Sequence, residues 1–251
     1  MTLEQEWIES HIQQCDVVLP LAAIATPATY VQNPLKIFEL DFEANVAIIR
    51  LCVKHNKRVI FPSTSEVYGM SQEAEFDEET THFVLGPTCK PRWIYSCSKQ
   101  LLDRVIYAYG EHNNLSYTLF RPFNWMGPKQ DDILNPKPGG SRVLTQFIGN
   151  ILRKEPIQLV DGGKQRRSFT DIDDAIEALL LMIENRNDCA KNQIFNIKKK
   201  KNDLSIKELA ELLIEQLQHY PDYAQHAREA KIIEVDANTY YGKGYQDIGA
   251  R

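Results

Sequence analysis

Tyr95-Ser96-Cys97-Ser98-Lys99 places a tyrosine and a lysine four residues apart. On a helix both project from one face. A free tyrosine has a pKa near 10, so at neutral pH only about one in 1000 is ionised, a deficit of roughly 4 kcal/mol. An ammonium one turn away favours the phenolate. Such a phenolate takes a proton from a hydroxyl while hydride leaves the same carbon for a nicotinamide ring. A second cluster, Pro62-Ser63-Thr64-Ser65-Glu66-Val67-Tyr68-Gly69, follows a short apolar run. Hydroxyls at the carboxyl end of a strand lie where open α/β sheets bind ligands, and the same residue types also suit a turn with helix caps. A third cluster sets Lys164, Arg166 and Arg167 beside Gly162-Gly163. Arginine binds phosphate bidentately and lysine acts as a point charge. On its own the cluster suits a solvated loop; with Asn124 and Arg142 also available, a diphosphate clamp is the favoured reading.

These residues need strands and helices to hold them. Residues 16–24 form a run too apolar for a half-exposed strand and read as a strand buried on both faces. Residues 37–55 have helical spacing through Phe38, Phe42, Val46, Ile49 and Cys52. Further strands are read at 58–62, 116–120, 156–160, 193–197 and 232–235. Further helices are read at 93–112, with Ile94, Leu101, Leu102, Val105 and Ile106 inward, and at 141–154, 171–185 and 205–219. Ser205 with Glu208 three residues on is a capping box. Residues 127–141, rich in Pro, Gly and Asp, read as a long surface loop, and the four lysines 198–201 as a solvated turn. Strands alternating with helices of this length predict an α/β protein with a largely parallel sheet.

Composition narrows the function classes. The net charge of -5 argues against a general nucleic-acid binder. No apolar run approaches the ~20 residues that span a bilayer, so no membrane insertion is expected. Five cysteines, Cys15, Cys52, Cys89, Cys97 and Cys189, include no C-x-x-C pair. Neither a disulfide framework nor a structural zinc site is expected, and a cytoplasmic location follows. The acidic, polar first residues do not read as a signal peptide.

The combination of a strand, Thr64-Ser65-Glu66-Val67-Tyr68-Gly69, a helical Tyr95-x-x-x-Lys99 and Arg121-Pro122-Phe123-Asn124 resembles the extended short-chain dehydrogenase/reductases. In detail, residues 61–69, 90–95, 98–104, 120–128, 161–165 and 240–247 resemble the UDP-glucuronate decarboxylases of lipid A modification with 4-amino-4-deoxy-L-arabinose, the polymyxin-resistance route. The resemblance implies NAD as cofactor and a UDP-sugar as substrate. It implies Tyr95 and Lys99 as the dehydrogenase pair that also meets the cofactor, Thr64 and Ser65 as donors to the sugar near C4, and Glu66 as an acid/base. Ala25, Tyr30 and Arg92 match positions near the glucuronate or its carboxylate, and Asn124 a diphosphate contact. The segment from Gln158 to Arg167 matches the UDP lining, Tyr245 a further UDP contact, and Arg251 a proton donor. The implied reaction oxidises C4, releases carbon dioxide and yields a UDP-4-keto-pentose; a homo-oligomer is expected. UDP-xylose synthesis, epimerisation, dehydration, or UDP-sugar binding without turnover are the alternatives.

All twelve glycines lie at or after Gly69, so no G-x-G-x-x-G loop for a pyrophosphate occurs in residues 1–68. The expectation is therefore an incomplete Rossmann-like sheet lacking its first strands and glycine loop. Residues 1–124 would be the remainder of a dinucleotide-binding domain. Residues 125–251 would be mainly a smaller UDP-sugar-binding region, with segments returning to the sheet. Weak cofactor binding and an exposed sheet edge at 16–24 are the expected consequences.

Overall fold

A computed structural model of the chain describes residues 5–73, 75–135, 142–199 and 201–241. Helix α1 (Gln5–Gln14) leads into strand β1 (Val17–Val18), and the short helices α2 (Pro27–Gln32) and α3 (Pro34–Ile37) follow. A π-helical turn over Phe38–Ala44 joins α3 to α4 (Asn45–Lys54), so the segment read as one helix has a widened turn in it. Then come β2 (Arg58–Pro62), the long helix α5 (Trp93–Asn113), β3 (Tyr117–Pro122) and β4 (Trp125–Met126). The second half holds α6 (Val143–Leu152), β5 (Ile157–Val160), β6 (Arg166–Ser168), β7 (Thr170–Asp171) and α7 (Ile172–Glu184). It closes with β8 (Gln193–Ile197), β9 (Asp203–Ser205), α8 (Ile206–Leu217), α9 (Ala224–Glu229), β10 (Ile232–Val235) and α10 (Ala237–Tyr241).

Strands β1-β2-β3-β8 form a parallel sheet in that order. The two inner strands have the composition of strands covered on both faces: Val59, Ile60 and Phe61 of β2 and Leu119 of β3 are fully buried. Each such side chain contributes about 1.5–3 kcal/mol of burial. One face packs on α4 and α5 through Ile49, Cys52, Leu102 and Ile106. The other meets α7 through Met182 and Leu179. A second core, built on Phe147, Ile151, Ile157, Leu159, Phe169, Ile206 and Leu209, gathers α6, α8 and α9 against the parallel pair β5–β10.

Two readings are corrected. The strand expected over 16–24 pairs only at Val17 and Val18, opposite Arg58 and Val59. Pro20 has no N–H to give a ladder, and Leu21 beyond it is 66% exposed. Among the described residues β1 is the sheet edge. On α5, Leu101 points outward, 48% exposed. The buried stripe runs Tyr95, Lys99, Leu102, Ile106 instead, the 4-3-4 spacing of one helical face.

Candidate active site

The carboxyl ends of β2 and β3 open on one cleft, with the start of α5 beside them. After β2 the chain turns at Ser63, whose N–H donates to the Phe120 carbonyl. Thr64 then caps the short turn Ser65–Tyr68, its hydroxyl accepting from the Glu66 N–H at 3.2 Å. Gly69 ends that turn with φ +60°, and a Cβ there would lie 2.0 Å from the Val84 carbonyl. Only glycine lets the strand-like bridge between residues 69 and 84 form, and that bridge ties down the excursion between β2 and α5.

Tyr95, in the first turn of α5, is buried and stacked on Tyr30, ring centroids 4.6 Å apart at 8°. It shares a hydrogen bond with the Thr64 side chain. Arg92, just before the helix, is buried with its guanidinium 5.5 Å from the Tyr30 ring centre and 5.3 Å from that of Trp93. Its Nη1 lies 2.9 Å from Glu66 Oε2. One turn past Tyr95, the Lys99 ammonium donates to the Pro62 carbonyl at 3.0 Å and lies 4.7 Å from the centre of the Phe61 ring. It is 6.0 Å from the centre of the Tyr95 ring.

The electrostatics differ from the simple picture of a lysine-lowered phenol. Burial pushes the Tyr95 phenol well above its ordinary range, and the carboxylates of Glu66 and Asp41 add to this. The Thr64 hydrogen bond and the Arg92 guanidinium oppose it. Burial lowers the Lys99 pKa, against the pull of Asp41 and Asp103. The ligand-free tyrosine is therefore a neutral phenol at neutral pH, poised to hydrogen-bond before it can accept a proton.

Two buried groups escape a reading of the sequence. Asp41, on the π-helical turn, is fully buried; its Oδ2 accepts from the Ile24 N–H at 3.2 Å, and burial raises its pKa. The signal was present: Asp41 and Asn45 interrupt the apolar stripe that runs through Phe38, Phe42, Val46 and Ile49. The second is a chain of polar contacts beneath the turn. Asp103 of α5 pairs with Arg121 of β3 at 3.2 Å. Arg121 donates to the Tyr68 hydroxyl at 2.7 Å, and Tyr68 donates to Asn196 of β8 at 2.8 Å. Three elements distant in sequence are stitched under the Thr64–Glu66 turn.

The cleft has a volume of about 1060 Å³. It collects Ala25, Thr64, Ser65, Glu66, Arg92, Tyr95, Asn124, Arg142, Gln158 and Arg167 of the residues expected from sequence. Tyr30 and Lys99 sit directly behind it, against Tyr95. Asn124 has φ +37° and donates its amide to the Ser168 carbonyl at 3.0 Å, joining β3 to β6. Arg142 pairs with Asp131 at 3.1 Å. Two expected clamp residues are corrected. Arg166 points away and pairs with Asp203 at 3.1 Å and Glu208 at 3.2 Å, because neighbouring residues of a strand face opposite sides. Lys164 is exposed and outside the lining. Gln146, Asn150, Arg153 and Tyr240 were not anticipated; the Gln146 amide bonds the Tyr240 hydroxyl and closes the far end. Tyr245 and Arg251 lie outside the described residues.

A nicotinamide riboside fits the near end chemically: a phenol, a threonine hydroxyl and a lysine ammonium stand together at the sheet's carboxyl edge. Residues 5–68 contain no glycine that would allow a close backbone approach to a pyrophosphate. No group of three or more His, Cys, Asp or Glu side chains able to hold a metal occurs among the described residues. No helix among them is long and apolar enough to cross a membrane.

A parallel sheet with its reactive groups at the carboxyl edge, and a helix offering Tyr and Lys one turn apart, is a Rossmann-like α/β arrangement. The pattern of the NAD dependent epimerase/dehydratase family matches residues 2–197, and the chain belongs to that family. Among solved structures, the PbgP3 protein from Burkholderia pseudomallei is 54% identical over 94% of this chain and 70% of its own, with a TM-score of 0.86. UDP-glucose 4-epimerase from Thermotoga maritima, 22% identical over 98% and 73%, has a TM-score of 0.74. The dTDP-glucose 4,6-dehydratase DesIV from Streptomyces venezuelae, 19% identical over 99% and 71%, has a TM-score of 0.75. The last two share the fold.

Proposed function

We propose that this site carries out the NAD-dependent oxidative decarboxylation of UDP-glucuronate to a UDP-4-keto-pentose, in lipid A modification. The observation that carries the reading is Arg92: a guanidinium buried in the lining of the cleft, in the same cluster as Tyr95, Thr64, Ser65 and Glu66. A uronic acid needs a cation there; a neutral hexose does not. The decarboxylase-like motifs of residues 61–69 and 90–95 support it.

NAD, when bound, supplies the hydride acceptor. Thr64 and Tyr95 hold the C4 hydroxyl. The Lys99 ammonium, helped by a cationic nicotinamide, favours loss of the Tyr95 proton, and the resulting phenolate takes the hydroxyl proton as C4 becomes a ketone. That ketone is β to the carboxylate. Loss of carbon dioxide leaves the electron pair as an enolate, whose oxygen Thr64, Ser65 and Tyr95 stabilise by hydrogen bonds. Glu66 manages the proton returned to C5, a role the resemblance shares with Arg251. Arg167, Asn124 and Arg142 take the diphosphate.

The test is an assay with UDP-glucuronate and NAD that follows NADH absorbance and released carbon dioxide together. Equal amounts of each are expected. A 4-epimer formed without carbon dioxide overturns the reading in favour of an epimerase. A second reading, UDP-sugar binding without turnover, is favoured by the raised Tyr95 pKa. Calorimetric binding of UDP-glucuronate with no NADH formed would establish it.

A further inference from the structure

Arg92 already has a carboxylate on it. Glu66 Oε2 stands 2.9 Å from Arg92 Nη1, and both residues line the cleft. The two partners are not equally fixed. The Arg92 side chain is 2% exposed and held against the rings of Tyr30 and Trp93. The Glu66 side chain is 17% exposed and sits on a single short turn facing the cavity. Glu66 is the partner with room to move.

The reading above gives Arg92 to the substrate's carboxylate, and this inference rests on that reading. Two carboxylates then compete for one guanidinium. We infer that Glu66 is an internal stand-in for the sugar carboxylate: a UDP-uronate binds by exchanging its own carboxylate for Glu66 on Arg92. The exchange makes Glu66 a specificity-determining residue. Removing the partner of a buried cation without replacing it leaves an uncompensated charge. A neutral hexose offers no replacement and meets a closed ion pair. A uronate substitutes like for like.

A second consequence concerns timing. Glu66 is released only when a carboxylate-bearing sugar is seated, so its carboxyl group becomes available for proton transfer only with the right substrate in place. Departure of carbon dioxide strips Arg92 of its anion. Glu66 then returns and resets the site.

The test is calorimetry of the full chain without NAD, using UDP-glucuronate, UDP-glucose and UDP as ligands. Glu66→Gln and Glu66→Ala remove the competitor. Both variants are expected to bind UDP-glucuronate more tightly, by about tenfold where Glu66 occupies Arg92 nine-tenths of the time. UDP-glucose and UDP should stay within about twofold, which also shows that the variants are folded. Unchanged or weakened UDP-glucuronate binding in both variants, with the wild type still preferring it over UDP-glucose, overturns the exchange alone. A wild type and variants that all bind UDP-glucose as tightly as UDP-glucuronate overturn the uronate reading, and the exchange with it.

Discussion

Tyr95 is chemically the most constrained residue of the cleft. It is stacked on Tyr30, bonded to Thr64 and faced by two carboxylates, Glu66 and Asp41, that disfavour its ionisation. Its phenol oxygen is the group best placed to take a sugar proton. Tyr95→Phe keeps the stack and removes that oxygen. NADH formation is expected to fall by about 10²–10⁴-fold, with UDP-glucuronate affinity nearly unchanged by calorimetry; wild-type turnover in the variant would take Tyr95 out of the mechanism. Asp41→Asn tests the electrostatics separately. Removing an anion that faces the phenol makes the phenolate easier to form, so the Tyr95 pKa should move down. Alkaline titration of the phenolate absorbance, differenced against Tyr95→Phe in each background, reads that shift; an unmoved or upward-moving titration contradicts the assigned influence of Asp41.

At the scale of elements, strand alternation separates two adjacent arginines that look alike in the sequence. Arg167 lines the cleft and Arg166 braces β6 against β9 and α8. Arg167→Ala should weaken UDP binding by about tenfold, the loss of one good charged contact of ~1.4 kcal/mol. Arg166→Ala should leave UDP affinity within about twofold and lower the melting temperature instead; the reverse pattern would mean the strand register is wrong. The neighbouring capping box is complete: Ser205 accepts from the Glu208 N–H, and Glu208 accepts from the Ser205 N–H at 2.7 Å. Ser205→Ala should cost about 1 kcal/mol, a fall of roughly 2–4 °C in melting temperature. That box was readable because its signal is local, as were the bounds of α5, α7, β2 and β8, although Leu101 of α5 and Leu180 and Leu181 of α7 are exposed despite the apolar spacing. The length of β1 was not readable from hydrophobicity, since Pro20 vetoes the ladder that the apolar run invites. The Asp103–Arg121–Tyr68–Asn196 chain was not readable at all. Its members are brought together by sheet order, and nothing in their spacing announces it.

The whole molecule carries its buried ionisable groups as a pH-dependent load. The Cys52 thiol is fully buried and pushed from 9.0 up to about 12. The phenols of Tyr30, Tyr68 and Tyr95 are all raised by burial. A folded-state pKa above the unfolded one gives stability that is complete below the unfolded value and is lost as pH rises toward the folded value. In the unfolded chain Cys52 ionises near pH 9 and the tyrosines near pH 10, while the folded chain holds their protons. Each group then removes about 1.4 kcal/mol per pH unit. Lys99 works in the other direction, since burial lowers its pKa and its contribution grows as pH rises, but only up to 10.5. Below pH 9 Lys99 is the one of these groups that acts, and the unfolding free energy should rise with pH once pH passes its lowered pKa. Above pH 9 Cys52 opposes that gain, and near pH 10 the three tyrosines join it, so the unfolding free energy should turn over and decline toward pH 11. Urea unfolding at pH 8, 9, 10 and 11 measures the curve, and Cys52→Ala should lessen the decline throughout pH 9–11. Stability that stays level to pH 11 would mean these side chains reach solvent in the native protein, and the packing of Tyr95 behind the cleft would have to be redrawn.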